Sequence, residues 1–282
     1  YTSNSATVNG TSKSTYTISV SLAGNATTAT YGTTVVLSAD AARNGTMVFK
    51  EGSTTICSVN STAGTSWRGN CNWTPAIVGT SSITVTFTPE DSANFAVVTS
   101  SAVSVTVGKA SLSTPIVTAA GGAGSTTTLV LTITHAPNST GTKYWLYANS
   151  GGGATTASGT VAIGTTSVTI TGLNSSAIAN GQTYYLEYSA AGNANYNDSA
   201  KNSPYDAVTT NPTWYVTYNT ATNGGLPNPT AASFVPGGVA LTLPTPSAVS
   251  GKTPDGWYTA ASGGTKVGNA GATYTPIGSV TL

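Results

Sequence analysis

Few side chains in this sequence are able to make or break bonds, and their positions limit what they could do. His135 is the only histidine. Ser–His–acid catalysis needs a base, and His135 is the sole candidate. It ends the alternating run Leu129–Thr134, just before Ala136-Pro137-Asn138, where it reads as a polar strand-to-turn corner. Glu90 and Asp91 are the only adjacent carboxylates. Acid–base catalysis by a carboxylate pair needs both groups in one cleft, and consecutive residues point apart. Oxygen-bearing neighbours would suit a calcium corner, but the charge there is thin. The run Gly151-Gly152-Gly153 lies between strand signals and not before a helix, so it reads as a turn and not a phosphate cradle. Lys50 reads as the strand-embedded lysine that an isopeptide crosslink would use. Alternation places it with Val48, opposite Phe49, and so toward solvent. The expectation is a protein that is not an enzyme, with no catalytic residue, metal or cofactor.

The two cysteines offer a different chemistry. Cys57 and Cys71 flank the hairpin signal Asn60–Gly64. If their strands pair antiparallel they face each other within disulfide reach. Closing that loop is worth about 3 kcal/mol in the chain-entropy model, and an oxidised pair belongs outside a reducing cytosol. A zinc site would need more ligands than this pair and one histidine supply. Five tryptophans remain: Trp67, Trp73, Trp145, Trp214 and Trp257. Indole rings stack on sugars as readily as they fill cores. Trp145, inside an alternating strand, and Trp257, inside Asp255-Gly-Trp-Tyr258, read as core. Trp67 or Trp73 should cover the disulfide, and Trp67, with polar neighbours, is the candidate glycan contact.

The elements that must position these residues are strands. The chain has 282 residues and 54 threonines, with charged residues at only 6% and a net charge of +1. Clustered positive charge, the means of gripping nucleic acid or an anionic membrane surface, is missing. No apolar run reaches the ~18 residues of a membrane-spanning helix, so no membrane insertion is expected. Period-two alternation recurs at Tyr16–Leu22, Ile83–Phe87, Val103–Val107, Leu129–Thr134 and Val168–Thr171. Asn-Gly, Gly-Gly and Pro-Asn pairs punctuate these runs as turns. Only Ser175–Asn180 could hold a helical turn. The fold class is all-β: tandem β-sandwich domains followed by a small β-grasp-like module.

An internal repeat marks the boundaries. Asp91-Ser-Ala-Asn-Phe95 and Gly192-Asn-Ala-Asn-Tyr196 each precede a polar stretch and a strand. Residues 1–13 read as the tail of the same pattern, a strand from or completing a preceding domain, so the chain is expected to be a piece of a longer array. Residues 14–109 carry Tyr31–Leu37, Gly45–Gly52, Cys57, Cys71 and Gly79–Phe87, and this span resembles the bacterial immunoglobulin-like repeats of large surface proteins. Residues 110–211 carry Lys143–Tyr147, Val168–Asn174 and Gln182–Tyr188, and are similar to a fibronectin type III-like sandwich. Residues 212–282 carry Tyr215–Asn219, Asn223–Gly225, Leu243–Pro246, Asp255–Tyr258, Gly263–Lys266 and Tyr274–Pro276. That span resembles the Listeria–Bacteroides repeat of the internalin B type, departing from it where an aromatic-rich ending is usual. The last strand, at Val280–Leu282, is therefore expected to be incomplete or completed by another segment.

These resemblances imply a structural or adhesive segment of a modular extracellular protein of the bacterial cell surface: a stalk, surface layer or self-assembling filament. The partners expected are copies of the chain or neighbouring domains of the same protein. Low charge leaves little repulsion between copies, and edge strands without gatekeeping charge invite strand addition. The alternative reading is a carbohydrate-binding accessory region of a secreted enzyme, with glycans as partners and Trp67 as the contact.

Overall fold

The computed structural model describes residues 12–61, 67–173, 181–220 and 225–282. Most of the strand expected over residues 1–13, the possible helical turn at Ser175–Asn180, the tip of the Asn60–Gly64 hairpin and most of the Asn223–Gly225 motif lie outside these residues. Within them the chain is nearly all strand and turn, and its one helical element is the three-residue 3-10 turn Ala23–Asn25. One compact unit takes the described residues up to Ser111 together with Asn193–Asn197. The other takes Leu112–Gly192 and Asp198–Leu282.

The first unit is a two-sheet sandwich. Its strands are β1 (Val20–Leu22), β2 (Thr28–Thr30), β3 (Val35–Asp40), β4 (Gly45–Glu51), β5 (Thr54–Ser61), β6 (Arg68–Trp73), β7 (Gly79–Pro89), β8 (Val98–Thr99) and β9 (Val103–Gly108). One sheet runs β1-β3-β6. The other runs β2-β9-β7-β4-β5, with β8 on β7. Alternation sends Leu37, Met47, Phe49, Trp73, Ile83, Val85, Phe87 and Val105 into one core and leaves the threonines of β7 on the outer face. Gly45 and Gly69 are glycine because that core is full. A Cβ on Gly45 would meet Phe87 Cζ at 2.5 Å, and one on Gly69 would meet Met47 Sδ at 2.5 Å.

The sequence repeat has one structural job in both of its occurrences. The Asp91 carboxylate accepts hydrogen bonds from the Asn94 backbone and side-chain N–H groups, and the Asn193 side chain accepts from the N–H groups of Asn195 and Tyr196. Each turn then captures an incoming strand. Ser14 N–H donates to the Asn94 carbonyl and Ala110 N–H to the Asn195 carbonyl, at 2.9 and 3.0 Å. The two-residue strand β10 (Ala110–Ser111) runs parallel to Tyr196–Asn197, and Lys109 Nζ donates to the Asn193 carbonyl. A serine follows each turn and closes a strand edge by mimicry. Ser100 and Ser199 offer their hydroxyls to the N–H groups of Val85 and Ala190, and donate their own N–H groups to the same residues' carbonyls.

The second unit holds a second sandwich and a smaller module. The sandwich strands are β11 (Ile116–Gly121), β12 (Leu129–Thr134), β13 (Gly141–Tyr147), β14 (Thr155–Ala162), β15 (Ser167–Ile170), β16 (Thr183–Ala191) and, after β17 (Tyr196–Asn197) of the first unit, β18 (Asp206–Thr209). Sheets β11-β12-β15 and β14-β13-β16-β18 enclose Leu129, Leu131, Ile133, Leu146, Tyr184 and Leu186. The module is built from β19 (Trp214–Thr217), β20 (Ala231–Phe234), β21 (Leu241–Thr242), β22 (Trp257–Tyr258), β23 (Lys266–Gly268), β24 (Thr273–Tyr274) and β25 (Val280–Thr281). Central β19 pairs antiparallel with β20 and parallel with β25, and two short ladders, β21-β24 and β22-β23, complete it. Val216, Tyr218, Leu243, Trp257 and Leu282 form its separate core.

Candidate functional site

His135, Asp91, Lys50 and the Gly151–Gly153 run lie at a strand end, a turn, a strand face and a hairpin respectively. His135 Nε2 lies 2.9 Å from the Thr165 carbonyl and Nδ1 lies 2.9 Å from Thr142 Oγ1. A carbonyl only accepts, so Nε2–H donates to it, and Nδ1 shares a hydrogen bond with the threonine hydroxyl. The ring thereby staples a strand end to two neighbours. Asp91 caps its own turn, and its carboxyl is held below the ordinary range, chiefly by the hydrogen bond from the Asn94 side chain. Lys50 lies half-buried on β4, on the face opposite inward-facing Phe49. Gly152 and Gly153 take positive φ in the β13–β14 hairpin, where glycine avoids the steric cost of a Cβ.

Cys57 and Cys71 form a disulfide, with Cα atoms 6.2 Å apart. Its placement differs from the expected cross-hairpin pair. Cys57 lies on β5 and Cys71 on β6, strands of different sheets that are not hydrogen-bonded to each other. The alternation of both strands points the two sulfurs inward, so the bridge staples an edge of one sheet to an edge of the other. Beside it Glu51 ties the same two sheets by accepting from Trp73 Nε1 at 3.1 Å and Ser81 Oγ at 2.5 Å.

Trp67, the candidate glycan contact, is half-buried against the first core and donates its indole N–H to Asn44 Oδ1 at 2.9 Å. Trp145 corrects the core expectation. Tyr144 and Leu146 face the second core, so the period of two turns Lys143, Trp145 and Tyr147 to the outer face of β13. There the Lys201 ammonium sits 4.2 Å from the Trp145 ring centroid and pairs with Glu187 at 2.5 Å. Glu187 lies directly across from Trp145 on β16, is 9% exposed, and also accepts from Tyr147 OH at 3.1 Å. Tyr205 packs edge-on against Tyr147. Burial, reinforced by the Glu187 carboxylate, pushes the Tyr147 phenol up, and the hydrogen bond to Glu187 raises Lys201. The sequence carried one signal for this cluster: Lys143, an outward residue, shares its parity with Trp145 and Tyr147. Glu187 and Lys201 are too distant in sequence to have been joined to them.

The third module carries a cleft of about 740 Å3 between Asn219–Thr220, the loop 253–264 and Thr281–Leu282. A smaller hollow of about 330 Å3 lies beside Asp255 and Trp257, reaching Lys266 and Asn269. Trp257 is buried, donates its N–H to the Pro244 carbonyl at 2.8 Å, and packs on Tyr218. At the rim Asp255 accepts from Tyr258 OH at 2.5 Å and pairs with Lys266 at 3.2 Å. The Tyr258 hydrogen bond first, and then Lys266, hold the Asp255 carboxyl below its usual range. The Thr220 hydroxyl is buried at the cleft wall with no hydrogen-bond partner among the described residues. No group of three or more metal-ligating His, Cys, Asp or Glu side chains occurs among the described residues.

No family model matches the chain and no curated protein matches it. Among solved structures, fibronectin(III)-like modules of Clostridium thermocellum CbhA align over 68% of this chain and 94% of theirs, at 14% identity and a TM-score of 0.26. The FN1–FN3 domains of chicken CNTN1 align over 70% and 67%, at 12% identity and a TM-score of 0.32. The human OSCAR ligand-binding domain aligns over 70% and 98%, at 17% identity and a TM-score of 0.26. At such identities and scores nothing about function carries over to this chain.

Proposed function

We propose that the chain is a structural or adhesive segment of a modular extracellular protein of the bacterial surface, acting through shape and contact. The observation behind this reading is the repeated construction: two sandwiches, and an Asx-capped turn that recurs at Asp91–Phe95 and Asn193–Tyr196 and holds an incoming strand each time. Supporting it are the inter-sheet disulfide and outer faces of threonine and serine. The resemblances to bacterial immunoglobulin-like, fibronectin III-like and Listeria–Bacteroides repeats point the same way. Partners on this reading are copies of the chain or neighbouring domains of the same surface protein. Sedimentation across a wide concentration range, with negative-stain imaging, tests it. Concentration-dependent association into ordered assemblies is expected, and a strict monomer with no assembly counts against it.

A second reading, a carbohydrate-binding region, is favoured by one observation: the cleft beside Asp255 and Tyr258 mixes an apolar wall with hydroxyls of Thr220, Thr253, Thr259 and Ser262 and the Asn219 amide, groups suited to a sugar. On that reading a glycan array gives saturable binding. Loss on Trp67→Ala places the contact on the first sandwich, and loss on Tyr258→Ala places it in the third module.

A further inference from the structure

The second sandwich and the third module keep separate hydrophobic cores, yet they belong to one compact unit. What joins them is mostly backbone. The end of β11 and the loop after it read Gly121-Gly-Ala-Gly124, and the turn after β20 reads Pro236-Gly-Gly238. Gly124 N–H donates to the Pro236 carbonyl at 2.8 Å. A Cβ on Gly124 would come within 3.2 Å of Gly238 Cα, and one on Gly237 within 2.7 Å of Ala123 Cβ. Both glycines also hold positive φ, +68° and +78°. Two main chains therefore meet at a distance that side chains would forbid.

Asn211, in the linker between β18 and β19, closes the joint. Its Nδ2 donates to the Gly122 carbonyl at 2.6 Å and to the Pro236 carbonyl at 3.2 Å. A Cβ on Gly121 would lie 2.7 Å from Asn211 Cγ, so the sandwich loop is shaped to receive this amide. One side chain thus bonds the sandwich on one hand and the module on the other. The module has reason to be held, because among the described residues its core cluster has only five buried side chains with a few partly buried ones around them, a small core to stand alone.

We propose that Asn211, gripping Gly122 and Pro236 across a glycine-lined joint, locks the third module onto the second sandwich so that the two move as one body. Modules joined by a linker and a small interface otherwise move independently. The lock concerns the chain's mechanics and holds on either functional reading.

Backbone 15N relaxation on the full chain tests it. In the wild type, amides of residues 112–192 and 212–282 share one rotational correlation time. Asn211→Asp, which keeps the shape but turns the two N–H donors into an acceptor facing two carbonyls, loses that common value. Ala123→Leu wedges the joint from an exposed loop and does the same without touching the linker or the module's core. The Trp257 indole N–H resonance reports that the module is still folded. If Asn211→Asp abolishes that resonance, Ala123→Leu decides. Separate correlation times in the wild type overturn the proposal, as does an unchanged common value in Ala123→Leu.

Discussion

Three of the four ion pairs among the described residues join partly exposed side chains. Arg68 grips Asp40 through two hydrogen bonds of 2.7 and 2.8 Å across the β3–β6 register. Both side chains are about half exposed, so the pair adds little to stability. Glu187 differs because it is largely buried. Lys201→Met leaves its carboxylate with the Tyr147 hydroxyl as its remaining hydrogen-bond donor among the described contacts, and is expected to cost about 1–3 kcal/mol. A chemical-denaturation midpoint comparison checks this, with Lys143→Met, whose partner Asp198 is exposed, as the near-neutral control. The disulfide gives a second test. Breaking Cys57–Cys71 with reductant, or by the double change to serine, should lower the stability of the first sandwich by about 3 kcal/mol, since the bridge spans 14 positions. Calorimetry with and without reductant reads that loss.

At the scale of the strand, alternation decides what is core, and glycines mark where the core is full. Gly45→Ala drives a methyl against the Phe87 ring and the backbone of β7, and Phe87 is fully buried. Overpacking of this kind costs about 1–3 kcal/mol. Thermal melting should show the loss, whereas Gly52→Ala, with open space at its Cβ, should show only the smaller cost of its positive φ. The strands themselves were legible in the sequence because threonine and aliphatic residues alternate without interruption. The error over Trp145 arose from reading an indole as core by type, when its parity with Lys143 placed it outside. The cysteine pair was legible as a bridge but not as an inter-sheet one. Hairpin spacing fixes which strands are near in sequence, and only the assembled sandwich shows that β5 and β6 sit in opposite sheets. The Glu187–Lys201 cluster and the Asn211 joint rest on contacts between residues far apart in sequence, with no local pattern to announce them.

For the whole molecule, a surface of hydroxyls and amides with net charge +1 carries few titratable groups. Asp40, Asp91 and Asp255 are all held below their ordinary values, by Arg68, Asn94 and Tyr258 respectively. A depressed carboxyl stabilises the fold above its unfolded value, near 3.9, and that stabilisation is lost as pH falls through the folded value. The stabilisation from these three carboxylates should therefore be level above about pH 5 and be lost below about pH 4. A melting temperature that does not fall below about pH 4 would contradict this assignment. The proposed role itself is tested most directly by labelling intact, unpermeabilised source cells with antibody against the chain and viewing them by electron microscopy. A structural or adhesive surface segment predicts label on the outer face of intact cells, with Cys57 and Cys71 oxidised in the recovered protein. Label that appears only after permeabilisation, with both thiols free, would contradict it.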